Sequence, residues 1–199
     1  MRKLHLLLPL ALLALALGLA ACGSSESDED KVVDVIETSA TSSDPADCEA
    51  LSTQAFMEQT ELEEGKAAVE SCEESAEDDS DNPDSVEVSE VEIDGSSATA
   101  DVAFVGGNFG GQTLTVALVE EDGDWKLDEI TGFAEFDQEG LADSFEEALG
   151  EDDEVDPQLA ECFAEVIREV PEPKAEELII GGSPEPIVEI IEGCSEGLE

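Results

Sequence analysis

The cysteines are the residues of this chain best equipped for chemistry: Cys22, Cys48, Cys72, Cys162 and Cys194. The single histidine, His5, lies near the start, and there is no tyrosine. Without its first residues the chain has no imidazole to act as a general base or to ligate zinc. Carboxylates abound, with 54 Asp and Glu residues, but nothing in the pattern sets one of them apart as a base. No C-x-x-C spacing occurs, so neither a redox dithiol nor a cysteine zinc site is indicated. The expectation is no catalytic residue, no metal and no cofactor.

Cys22 stands apart from the other four. Arg2 and Lys3 open the chain, an apolar run follows from Leu6 to Ala21, and Gly23-Ser24-Ser25 comes after the cysteine. That layout is a secretory signal peptide. The run contains Pro9 and Gly18 and falls short of the roughly 20 apolar residues that a spanning helix needs. Leu19-Ala20-Ala21-Cys22 resembles the lipobox of bacterial lipoproteins. The resemblance implies cleavage after Ala21 and lipid attachment at Cys22, with several acyl chains anchoring the protein at about 0.8 kcal/mol per buried methylene. The expected location is the extracytoplasmic face of the cell membrane. Competing readings are an uncleaved anchor and a secreted protein in which Cys22 is incidental.

Seven basic residues face 54 acidic ones, for a net charge of −47, and two of the basic residues lie in the leader. Nucleic acid is an unsuitable partner, because phosphate binding needs clustered Lys and Arg. Anionic lipid repels such a body, so the membrane must be reached through the anchor. The acidity has three readings: a solvated surface that keeps the chain soluble, adaptation to high salt, or diffuse binding of divalent cations. Asp79-x-Asp81 begins like a calcium loop, but Pro83 stands where a third ligand belongs and no glycine follows.

Four cysteines outside the cytoplasm argue for disulfides, with three pairings possible. Choosing partners within one compositional block gives Cys48–Cys72 and Cys162–Cys194. Each bridge is expected to contribute about 3–4 kcal/mol.

The elements that carry these residues read as follows. Residues 1–21 are the leader and 22–30 a small, acidic tether. Ser27-x-x-Asp30 has the form of a capping box, and Val32, Val33, Ile36 and Ala40 follow at helical spacing. Asp44-Pro45 opens a second helix that ends with Phe56 and Met57. Thr60-x-x-Glu63 starts a third helix bearing Ala68, Val69, Cys72 and Ala76. Beyond the acidic loop 77–84 the period changes to two. Four strands follow, with a bulge near Ser89 and turns at Asp94-Gly95, Gly106–Gly111 and Asp122-Gly123. They form an antiparallel meander with one apolar face. The glycine run lacks the strand-to-helix setting and the lysine of a phosphate loop, so it reads as a hairpin loop. Trp125 reads as core. From Asp137 the pattern is helical, with an amphipathic helix after Asp156-Pro157 and short helices at 175–180 and 184–191.

Helices followed by a curved antiparallel sheet resemble the nuclear transport factor 2-like cone over residues 31–136. The likeness is to actinobacterial lipoproteins of the DUF4878 and lumazine-binding-like groups. It rests on Asp44-Pro45-Ala46-Asp47-Cys48 with Cys72 on the next helix. It rests also on Val91-Glu92-Ile93-Asp94-Gly95-Ser96-Ser97-Ala98-Thr99-Ala100 and on Val119-Glu120-Glu121-Asp122-Gly123-Asp124-Trp125-Lys126-Leu127-Asp128. The fold class is therefore α+β, with a helical C-terminal region, 137–199, outside the resemblance. The resemblance implies a non-catalytic binding module for a small ligand or an envelope protein. A structural protein whose cone is filled by Val102, Phe104, Leu114, Val116 and Leu118 is the alternative. A pocket isomerase or dehydratase is a third, weakened by the absence of Tyr and His.

Overall fold

A computed structural model describes residues 27–77, 82–151, 155–183 and 185–196. The leader, the lipobox and Cys22 lie outside the described residues, as do Asp79 and Asp81.

Ser27 caps α1 (Asp28–Thr41). Its hydroxyl accepts from the Asp30 backbone N–H at 3.1 Å, and the Asp30 carboxylate accepts from the Ser27 N–H at 3.1 Å. The Ser27 hydroxyl also donates to the Asp30 carboxylate at 2.7 Å, and this bond first, then the backbone one, holds the Asp30 carboxyl below its ordinary pKa. Residues 28–30 of the expected tether are therefore helical, because a complete capping box fixes the first turn ahead of them. Val32 and Ile36, one turn apart, are buried against the sheet.

The sheet is an antiparallel meander in the order β1-β2-β3-β4. Its strands are β1 (Ser85–Asp94), β2 (Ser97–Val105), β3 (Thr113–Glu121) and β4 (Asp124–Glu135). The register of β1 on β2 shifts between Ser89 and Glu92, and Glu90 there has φ 49°. Three further shifts occur between β3 and β4. Bulges of this kind bend strands and curve a sheet. The first hairpin loop is Gly95-Ser96, one residue later than expected, since Asp94 already pairs with Ser97. Asp122 and Gly123 both have positive φ, the twist that a tight two-residue hairpin favours. One face carries Ala98, Ala100, Val102, Leu114, Val116, Leu118, Trp125 and Leu127, all buried.

The second expected helix is two helices, α2 (Ala46–Leu51) and α3 (Gln54–Glu61). The break has a tertiary cause. Ser52 forms a bridge with Leu127, and the Thr53 N–H donates to the Leu127 carbonyl at 2.8 Å. The Thr53 hydroxyl accepts from the Phe56 N–H and donates to Asp128 at 2.9 Å, capping α3 while tying it to β4. Thr60 does not start the next helix. Its hydroxyl donates to the Phe56 carbonyl inside α3, and α4 (Lys66–Ala76) begins only after Gly65. A disulfide joins Cys48 on α2 to Cys72 on α4.

The remaining helices are α5 (Gln138–Glu151), α6 (Pro157–Glu169), α7 (Glu172–Ile180) and α8 (Glu185–Glu196). α5 continues through Gly150, and α7 and α8 are longer than expected. Ala142, Phe163, Ala164, Ile167 and Leu178 form a separate core. Phe145 and Phe163 meet edge to face at 5.9 Å. Arg168 donates to Asp143 and Glu146, joining α6 to α5, and these partners raise its pKa. Cys162 on α6 is joined to Cys194 on α8. No helix among the described residues is long and apolar enough to cross a membrane.

Candidate functional site

Between α1–α4 and the apolar face of the sheet lies a cavity of about 310 Å³. That is at the small end of the range of about 300–1,000 Å³ typical of small-molecule sites. The sheet supplies Val102, Phe104, Leu114, Val116, Leu127 and Ile130 to its wall. The helices supply Ile36, Ala40, Phe56 and Met57, together with the bridged Cys48 and Cys72.

The cavity exists because the helices are held at fixed points rather than collapsed onto the strands. The α2–α3 junction is pinned to β4 at Leu127. Lys126 donates to the Glu49 carbonyl at 2.7 Å, holding the end of α2. Gln59 on α3 exchanges two hydrogen bonds with the backbone of Ile130 and donates a third to the carbonyl of Ile180 on α7. The disulfide then fixes α4 to α2. The residues expected to fill the interior are divided. Leu118 is packed in the core with Val32 and Trp125, whereas Val102, Leu114 and Val116, also buried, and the partly buried Phe104 form the cavity wall as well.

The rim is polar. Ser42 donates to Asp47 at 2.5 Å, and Asn82 donates to the Ser42 carbonyl at 3.5 Å. Glu61 accepts from Ser71 at 3.0 Å and from Ser75 at 3.4 Å. Asp44 accepts from the Ala46 N–H at 3.0 Å. Asp44, Asp47 and Glu61 all border the cavity, and no Lys or Arg among the described residues does. Deeper in the wall, Ser52 is only 5% exposed. Its hydroxyl makes no hydrogen bond among the described residues.

The glycine run forms the loop between β2 and β3. It folds on itself through bonds from Gly110 to Gly107 and from Gly111 to Phe104. This closes Phe109 onto Phe104, with ring centroids 5.8 Å apart, and places Phe109 in the cavity wall. Sequence reasoning missed Phe109, Ser52 and Gln59. Phe109 was hidden in a run that reads only as a turn, and the roles of Ser52 and Gln59 depend on strands more than seventy residues away. Trp125 lies in the core beside the cavity, and its buried indole N–H has no hydrogen-bond partner among the described residues. No group of His, Cys, Asp or Glu among the described residues is arranged to hold a metal ion.

No curated protein and no solved structure matches the chain. The family model that does match covers less than half of the chain, leaving out α1, α2 and the C-terminal helices. Residues 52–134, from the α2–α3 junction to the end of β4, are similar to the family described as low molecular weight antigen MTB12, C-terminal domain.

Proposed function

We propose that this chain is an extracytoplasmic lipoprotein, anchored through Cys22, whose α+β body is a non-catalytic module that binds a small apolar ligand. The observation that carries the reading is the cavity of about 310 Å³ with an apolar wall. A cone filled by its own side chains would leave no such volume, so the structural alternative is the weaker one. The carboxylates that border the cavity sit at its rim, while the inner wall is mostly aliphatic and aromatic, with the Ser52 hydroxyl set in it. That arrangement suits holding a molecule rather than moving a proton.

The helices packed on one face of a curved meander are consistent with a nuclear transport factor 2-like cone. The similar family is described as an antigen, which supports a place outside the cytoplasm. The anchor is supported by Leu19-Ala20-Ala21-Cys22. Two bridges, Cys48–Cys72 and Cys162–Cys194, fit an oxidising compartment.

Native mass spectrometry of the protein released from its own membranes tests this reading. The expected spectrum shows a lipid-modified N-terminal Cys22 and a small non-covalent adduct that is lost on denaturation. An unmodified chain retaining Met1 to Ala21 contradicts the anchor. Protein free of any adduct that also takes up no apolar probe contradicts the binding module.

A further inference from the structure

Resting on that reading, we infer that the cavity selects by charge: its ligand is an uncharged or cationic apolar molecule carrying a hydrogen-bonding group, and anionic amphiphiles are rejected. Two independent observations carry this.

The first is the rim. Asp44, Asp47 and Glu61 border the opening, each held by hydrogen bonds from neighbouring groups, and no basic side chain among the described residues stands beside them. A carboxylate or phosphate head would face this ring without a counter-charge. A like charge brought against it is repelled even at the dielectric of water, and more strongly where protein displaces the solvent. The chain as a whole adds to the effect, with its net charge of −47. An ammonium or hydroxyl head meets acceptors instead.

The second is Ser52. It is 95% buried by its 5% exposure, lies in the cavity wall, and its hydroxyl makes no hydrogen bond among the described residues. Its backbone is committed to the bridge with Leu127, at φ −127° and ψ 150°. The side chain is therefore held in position by the sheet. Among the described residues only the Trp125 indole N–H is both sealed from solvent and unpartnered, so the Ser52 hydroxyl, which has no partner in the protein, is open to the cavity. A ligand that brings a donor or acceptor to it supplies the missing bond.

The test uses one apolar body with three heads: n-decanol, decylammonium and decanoate, each titrated calorimetrically at neutral pH below its aggregation threshold. Decanol and decylammonium are expected to bind, with decanoate weaker by about tenfold or more. Raising salt from about 0.05 M to about 0.5 M is expected to narrow that gap by shortening the Debye length. The rim variant Asp44→Asn/Asp47→Asn/Glu61→Gln is expected to narrow it at low salt. Ser52→Ala is expected to weaken decanol by about three- to tenfold, and Ser52→Thr, which keeps the hydroxyl on extended backbone, to restore it.

Decanoate binding as tightly as decanol overturns the charge selection and leaves the binding module standing. Decanoate that stays weaker by the same factor at high salt and in the rim variant also overturns it. Ser52→Ala binding decanol like the wild type overturns the role given to the hydroxyl. If none of the three probes binds, the binding module itself fails.

Discussion

Cys48 on α2 and Cys72 on α4 are joined by a disulfide, with their Cα atoms 6.1 Å apart, and both cysteines form part of the cavity wall. The bridge therefore does two things. It closes a loop of the chain, and it holds two helices at the spacing that keeps the cavity open. The Cys162–Cys194 bridge does only the first, because it joins α6 to α8 away from the cavity.

The two bridges should separate in experiment. Cys48→Ala/Cys72→Ala and Cys162→Ala/Cys194→Ala each remove a bridge spanning 24 or 32 residues. Each pair should lower stability in urea by about 3 kcal/mol. Only the first should also weaken decanol binding, measured by calorimetry under conditions where both variants are folded. Equal affinity losses in the two variants would remove the special place given to Cys48–Cys72.

A buried glutamine fixes the start of the C-terminal helices. Gln112 is 1% exposed; it donates to the Asp137 carbonyl at 3.0 Å and accepts from the Asp137 N–H at 2.9 Å. Its carboxamide thus satisfies both backbone groups of the residue that leads into α5. Gln112→Ala should cost about 2 kcal/mol, since the Asp137 N–H loses its partner and the Asp137 carbonyl keeps only its bond from Leu141. Hydrogen exchange should speed up first at Leu141 and the neighbouring amides of α5. Unchanged protection there would show that α5 is held by its own packing alone.

Glu58 links stability to pH. It accepts from the Gln54 side chain at 2.6 Å and from the Gly65 N–H at 2.8 Å, so it ties the end of α3 to the start of α4. These bonds, the Gln54 one first, lower its pKa from 4.5. A lowered folded-state pKa means that the unfolded chain takes up the proton first as pH falls. The contribution is complete above pH 4.5 and is lost as acid titrates the folded carboxylate. Glu58→Gln should therefore flatten the dependence of the urea midpoint on pH below that value, relative to the wild type. An unchanged slope would mean that the link contributes nothing measurable.

How far the molecule can be read from its sequence depends on the range of the interaction. Local chemistry was legible: the capping box at Ser27 and Asp30, the Asp156-Pro157 helix start and the shift near Ser89 all rest on neighbours in the chain. The meander was legible because the period-two pattern survives from Val86 to Leu127. The split between α2 and α3 was not, because residues 46–57 have continuous helical spacing and the break is imposed by Leu127 across the fold. Nor was the cavity. Val102, Leu114 and Val116 are large enough to fill a small cone, and what decides whether they do is the height of the helices above the sheet. That height is set by Ser52, Gln59 and Lys126, polar residues whose distant partners leave no periodic signal.

Met57 offers the most direct view of the cavity. It is 3% exposed, lies in the wall, and the only other methionine is Met1 at the start of the leader. With the proposed leader removed, the protein has a single methionine methyl resonance, and that resonance reports from inside the cavity. The decisive measurement is its NMR shift during titration with n-decanol, in the wild type and in Ala40→Phe, which places an aromatic ring in the same space. A saturable shift at one equivalent in the wild type, abolished in Ala40→Phe, is the result expected of a binding module. No shift in the wild type, or the same shift with the cavity filled, would contradict it.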